Sequence, residues 1–149
     1  MKRLLSTSLY IMLFMAVMLN GMASATEIGQ IKTLKGEVLL IQGNTNSQAK
    51  LGDVLHQADV VETGDNASVG ITFIDNSRFA VGPNTRIELR QFRFNPTTHD
   101  GEFVTNMPRG TLTVISGDIA KQSPEAMKVK TPTTILGFRG TKTAIKVTE

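Results

Sequence analysis

The side chains that could do chemistry in this chain are few. His56 and His99 are its two histidines and stand 43 residues apart, outside any His-x-His or HExxH pattern. They therefore lack the clustered donors from which metal sites are built. Glu62-Thr63-Gly64 resembles the Asp-Thr-Gly of an aspartic protease, but it carries Glu and has no second copy to form the dyad. Gly52-Asp53, Gly64-Asp65 and Gly117-Asp118 lack the alternating ladder of a calcium loop and read as turns. Ser68, Ser77 and Ser116 lie outside a Gly-x-Ser-x-Gly frame. With no cysteine, thiol nucleophiles, thiolate metal ligands and disulfides are excluded. The expectation is a protein that is not an enzyme, with no catalytic group, no metal and no cofactor.

One basic stretch calls for an explanation. Gly137-Phe138-Arg139-Gly140-Thr141-Lys142 places a guanidinium between glycines near the end of the chain. A phosphate loop would need Gly-Lys-Thr, a further Gly five residues upstream and a helix to follow. Here Thr and Lys are transposed and the next residues alternate like a strand, so the expectation is structural. Gly137, Gly140 and Thr141 shape a turn, and Arg139 clamps the sheet to a carboxylate, Asp75 first and Glu62 second. The rival is an exposed Arg139 that touches a partner. A second candidate contact is the hairpin tip "NPTTHDG", Asn95 to Gly101, with Asn95, Pro96, His99 and Asp100 exposed.

The elements that position these residues read as strands. Val69, Ile71 and Phe73 alternate, then Phe79 and Val81, then Ile87 and Leu89, with turns at Asp75-Asn76 and Gly82-Pro83-Asn84. Period two cut by Gly, Pro, Asn and Asp marks an antiparallel sheet. Further strands are expected at Glu37–Ile41, Val60–Thr63, Phe103–Thr105, Thr111–Ile115 and Lys142–Val147. The inward phase is odd at Leu89 and even at Phe92, so a bulge belongs at Arg90-Gln91. No stretch after residue 25 carries a three-turn helical stripe. The expected fold is all-β, a single compact sandwich or roll of about ten short antiparallel strands, with a short solenoid-like stack as the alternative. The expected core is Val38, Leu40, Val69, Ile71, Phe73, Phe79, Val81, Ile87, Leu89, Leu112, Val114, Ile135 and Ile145.

Residues 1–25 read as a signal peptide and 26–149 as the β domain. Lys2 and Arg3 precede an apolar run of 11 residues from Leu9 to Leu19, and Ala23-Ser24-Ala25 ends it with small residues. Eleven residues at ~1.5 Å each cover about half of a ~30 Å hydrocarbon core. Cleavage after Ala25 is expected, which puts the domain in the periplasm with no stable membrane span. Cleavage would leave 124 of the 149 residues, with 14 cationic against 13 acidic side chains, a net +1. A nearly neutral domain is not a nucleic-acid binder, which needs clustered Lys and Arg.

The order of motifs resembles the FecR domain family. Gly36-Glu37-Val38, Leu51-Gly52-Asp53-Val54-Leu55, Asp59 through Gly64, "FIDNSRFAVGPNTRIEL", "GTLTVISGDIAK", "VKTP" and "GFRGTKTAIKV" carry the resemblance from Gly36 to Val147. It implies an extracytoplasmic β domain that works by contact, with a protein or an envelope glycan as its partner. The best-known members are transmembrane regulators of iron-siderophore uptake that hear from an outer-membrane receptor. The family's marker positions fall on Gly82-Pro83-Asn84, Thr131-Pro132 and Arg139-Gly140-Thr141. The alternative that the resemblance leaves open is a membrane-tethered sensor without an anti-sigma segment of its own.

Overall fold

The computed structural model describes residues 25–140 and 142–148. The expected signal segment, residues 1–25, lies outside the described residues except for Ala25. Among them run twelve strands and one short helix: β1 (Glu27–Lys35), β2 (Val38–Gln42), β3 (Thr45–Gln48), β4 (Val54–His56), β5 (Val60–Thr63), β6 (Ser68–Phe73), β7 (Arg78–Val81), β8 (Arg86–Phe94), β9 (Gly101–Ile115), α1 (Asp118–Gln122), β10 (Met127–Lys130), β11 (Ile135–Gly137) and β12 (Lys142–Val147). The fold is all-β.

Strand β9 organises the molecule. Its first part, up to Arg109, pairs with β8 and β10; its second part, from Gly110, pairs with β7 and β12. One half of the sheet is therefore ordered β3-β2-β5-β8-β9-β10-β11, and the other β4-β1-β6-β7-β9-β12. The sheet curls on itself through β9, as a half-barrel. The turning point is chemically marked. Pro108, which has no N–H, sits where the β8–β9 register slips between Arg86 and Glu88. Gly110 follows with φ +106°, and a Cβ there would collide with the backbone and hydroxyl of Thr85. Thr85 closes the corner: its Oγ1 accepts from Thr111 N–H at 2.8 Å. The expected break between Phe103–Thr105 and Thr111–Ile115 is thus a corner within one continuous strand.

The core lies inside the curl. Phe103 packs at 4.7 Å from Phe73, 4.8 Å from Phe92 and 5.2 Å from Phe79, measured between ring centroids. Phe92 and Phe103 belong to one half of the sheet and Phe73 and Phe79 to the other, so the rings join the two. Twelve of the thirteen expected core residues are buried; Ile135 is the exception at 63% exposure. In the edge strand β11 the inward positions are the neighbouring ones, half-buried Leu136 and, just beyond the strand, buried Phe138. The parity of that strand is one residue away from the expected one. The bulge at Arg90 is present: Leu89 pairs Thr105 while Gln91 pairs Val104, and both Arg90 and Gln91 are exposed. Ten of the eleven strand pairings are antiparallel, which excludes a stacked solenoid; the parallel one joins β10 to β9.

Candidate functional site

The β10–β11 hairpin positions Arg139. Pro132 and the threonines around it form the turn: Thr131 N–H donates to Thr134 O at 2.8 Å, and Thr134 N–H donates to Thr131 Oγ1 at 3.1 Å. At the other end Phe138 N–H donates to Met127 O at 3.3 Å. In an antiparallel ladder bonded pairs recur every second residue. With Lys128 opposite Gly137 and Lys130 opposite Ile135, the bonded positions on this strand are Leu136 and Phe138. Ile135 and Gly137 therefore turn their N–H and C=O groups away from β10, toward an edge on which β11 pairs with no other strand among the described residues. The side chains follow the same alternation. Leu136 and Phe138 turn inward, while Ile135 and Arg139 are exposed. An open cleft on the outer face is lined by Pro124, Glu125, Lys128, Ile135, Gly137 and Arg139, with Phe138 at its floor.

The expected clamp is not formed. Arg139 is exposed, and among the described residues no carboxylate lies within ion-pair distance of it. Asp75 is fully buried elsewhere, in the turn between β6 and β7. Its carboxylate accepts from Ser77 Oγ at 2.6 Å, from Ser77 N–H at 3.1 Å and from the Ile119 backbone. Ser77 Oγ in turn accepts from Gly117 N–H at 3.0 Å. Gly117 fits because a Cβ there would collide with Asp75 O and Ser77 N. Burial pushes the Asp75 carboxyl above its ordinary value, against these hydrogen bonds, which act the other way. The physical reason for the correction is proximity: the Asp75 oxygens are satisfied by the hydroxyl and N–H of Ser77 in the same turn and by the Ile119 backbone of α1, which leaves no call for a guanidinium. Gly140 has φ +66° and open space around it; Thr141 lies outside the described residues.

The family model described as FecR protein matches residues 59–149. This chain belongs to the FecR family. No curated protein and no solved structure matches it. The match begins at Asp59, so the Gly36-Glu37-Val38 and Leu51–Leu55 motifs precede it, while Asp75, the hairpin tip and Arg139 lie within it. FecR membership carries a signalling or sensing role at the cell envelope, in a family of regulators not known for catalysis.

Two further features of this FecR chain lie in the matched region. Glu62 on β5, the second expected partner of Arg139, is engaged by Arg86 at 2.8 Å and by Arg109. Partial burial acts to raise its carboxyl, but the two arginines outweigh that and hold it below its ordinary value. Arg86 and Arg90 also reach Glu88, at 3.5 and 2.7 Å. The result is a charge ladder across β5, β8 and β9 that neither motif nor spacing revealed in the sequence. The hairpin tip is exposed as expected: Asn95 Oδ1 accepts from the N–H groups of Thr97 and Thr98, and His99 stacks on Phe94 at 6.1 Å. Pro96 and Asp100 are exposed there too. Among the described residues no group of three or more His, Asp or Glu could hold a metal ion. No helix among them is long and apolar enough to cross a membrane.

One signal for the Arg139 region was present in the sequence. From Met127 to Thr148 there are five cations, Lys128, Lys130, Arg139, Lys142 and Lys146, and no carboxylate. None of the five pairs with a carboxylate among the described residues, whereas Arg86, Arg90, Arg93, Arg109 and Lys121 each do.

Proposed function

We propose that this chain is a non-catalytic sensing module of the cell envelope, exported by residues 1–25, cleaved after Ala25, and active in the periplasm through contact with another protein. The observation that supports this reading best is the unpaired edge of β11, where exposed Ile135 and Arg139 stand in the family-matched part of the chain. The buried polar groups around Asp75 hold the fold and take no part in it. A protein is favoured over an envelope glycan because the rings that stack on sugars are withdrawn: Phe73, Phe79, Phe92, Phe103 and Phe138 are buried, and Phe94 is half-buried.

Cell fractionation with N-terminal sequencing tests the location. The expected result is soluble periplasmic protein beginning at Thr26. A chain beginning at Met1 in the membrane pellet would overturn cleavage and favour the tethered sensor. Photo-crosslinkers at exposed positions 98 and 135 test the contact: capture of a specific protein at either is expected, and capture at neither would refute it.

A further inference from the structure

Among the described residues four strands end the two halves of the sheet: β3 and β11 in one, β4 and β12 in the other. Natural sheets guard such edges with polar or charged residues, or by keeping them short. β3 is Thr-Asn-Ser-Gln and exposed throughout, β4 has three residues, and β12 carries exposed Lys142 and Lys146. β11 is short but otherwise unguarded: it presents Ile135 and Gly137, with no charge on the strand itself. Among the described residues the exposed large aliphatic side chains are Leu51, Ile74 and Ile135, and the first two sit in turns, so Ile135 is the one on a strand.

We infer that the free edge of β11 takes up an extended, acidic segment of another protein, which adds as a strand beside Ile135 and Gly137 and sets carboxylates against Arg139 and Lys128. This rests on the contact function proposed above and names the surface and the chemistry of the partner. The outward N–H and C=O groups of Ile135 and Gly137 supply the ladder bonds, the usual source of affinity when a strand is added to a sheet. Half-buried Leu136, on the opposite face of β11, supplies the apolar contact for the alternate side chains. Gly137, lacking a side chain, lets Lys128 opposite it reach across the cleft that both line. Glu125 on the cleft wall is the single acidic group there, set against two cations. Charge selects the occupant. The stretch holds five cations and no carboxylate, so an acidic strand is attracted. A second copy paired edge to edge would bring the Arg139 and Lys128 of both copies to one seam without adding the carboxylates that an acidic strand supplies. The added strand should alternate acidic and apolar residues, because successive side chains face opposite sides.

The test uses the exported chain, isotopically labelled, and the peptide acetyl-Glu-Val-Glu-Val-Glu-Val-Glu-amide, followed by NMR at the amides of residues 135 and 137. Saturable shifts at both are expected. Gly137→Pro removes an N–H that points away from β10, so binding should vanish while the melting temperature holds. Should that variant fail to fold, Arg139→Glu at an exposed site should weaken binding at least about tenfold. The same peptide N-methylated at alternate amides should not bind. Equal binding of the methylated peptide, or of a sulfated glycan at the same amides, would make this a general polyanion surface and overturn the inference. So would shifts confined to another edge, or shifts that arise from protein concentration alone. In cells, capture at position 98 without capture at 135 refutes the β11 assignment and leaves the contact function standing; capture at neither refutes both.

Discussion

Replacing Asp75 by alanine should destabilise the domain severely, although among the described residues no cation pairs with that carboxylate. The substitution strands two buried backbone donors, the N–H groups of Ser77 and Ile119, in residues with no solvent exposure. The Ser77 hydroxyl is less affected, since Met127 Sδ already lies at 3.9 Å. Each stranded donor costs ~1–3 kcal/mol, and relief from burying a carboxylate offsets part of the loss. The expected cost is about 2–4 kcal/mol, a large share of the ~5–15 kcal/mol that holds a domain folded. Urea unfolding at neutral pH measures it. Asp75→Asn keeps one acceptor oxygen and should cost less. Its pH profile should also differ. Because the folded carboxyl binds its proton more tightly than the unfolded chain does, its contribution is complete below the ordinary 3.8 and declines as pH rises through the higher folded value. Asparagine removes that decline. Arg139→Ala should change stability by no more than about 0.5 kcal/mol, as surface substitutions do. The two changes should add within ~0.5 kcal/mol, as for sites without a shared partner. A coupling above ~1 kcal/mol would restore the clamp between them, and a near-neutral Asp75→Ala would refute the assigned hydrogen bonds.

Gly110→Ala should cost ~3–5 kcal/mol in the same assay, because it combines a positive φ with a collision against Thr85 at the corner of β9; a loss under ~1 kcal/mol would contradict the corner. Glu62→Gln should cost under ~1 kcal/mol, since the ion pairs are partly exposed. That loss should shrink with salt. Because the folded Glu62 carboxyl lies below its ordinary 4.5, its contribution is present above that pH and is lost as pH falls through the lower folded value. A cost that persists in acid and at high salt would contradict the ladder.

What was legible in the sequence was whatever local alternation encodes. Val69–Ile71–Phe73, Phe79–Val81 and Ile87–Leu89 face inward in the parity read from their spacing, and the flip between Leu89 and Phe92 located a real bulge. Strands β5 and β12 run between the expected residues, and the hairpin tip is where Asn95, Pro96 and Gly101 set it. β1 was hidden because register shifts at Glu27/Gly29 and Ile31/Thr33 space its inward Ile28, Ile31 and Leu34 three apart, against the period-two rule. β3 has no apolar pattern at all and exists as the hairpin partner of β2. Side-chain partners were the least legible. Nothing near Asp75 announces that the Ile119 backbone will donate to it, or Gly117 N–H to its partner Ser77, across about forty residues, and nothing near Glu62 announces Arg109. The exposed Arg139 was misread because its glycine neighbours suggested enclosure, while the one-sided charge of residues 127–148 pointed outward.

The central claim is that this FecR domain works by strand contact at the β11 edge. The most direct measurement follows partner capture by a photo-crosslinker at position 98, and at 135, in cells carrying Gly137→Pro, beside the variant's melting temperature. The account predicts an unshifted melting transition and loss of the captured protein at 135. Undiminished capture at 135 by a normally folded variant would contradict it.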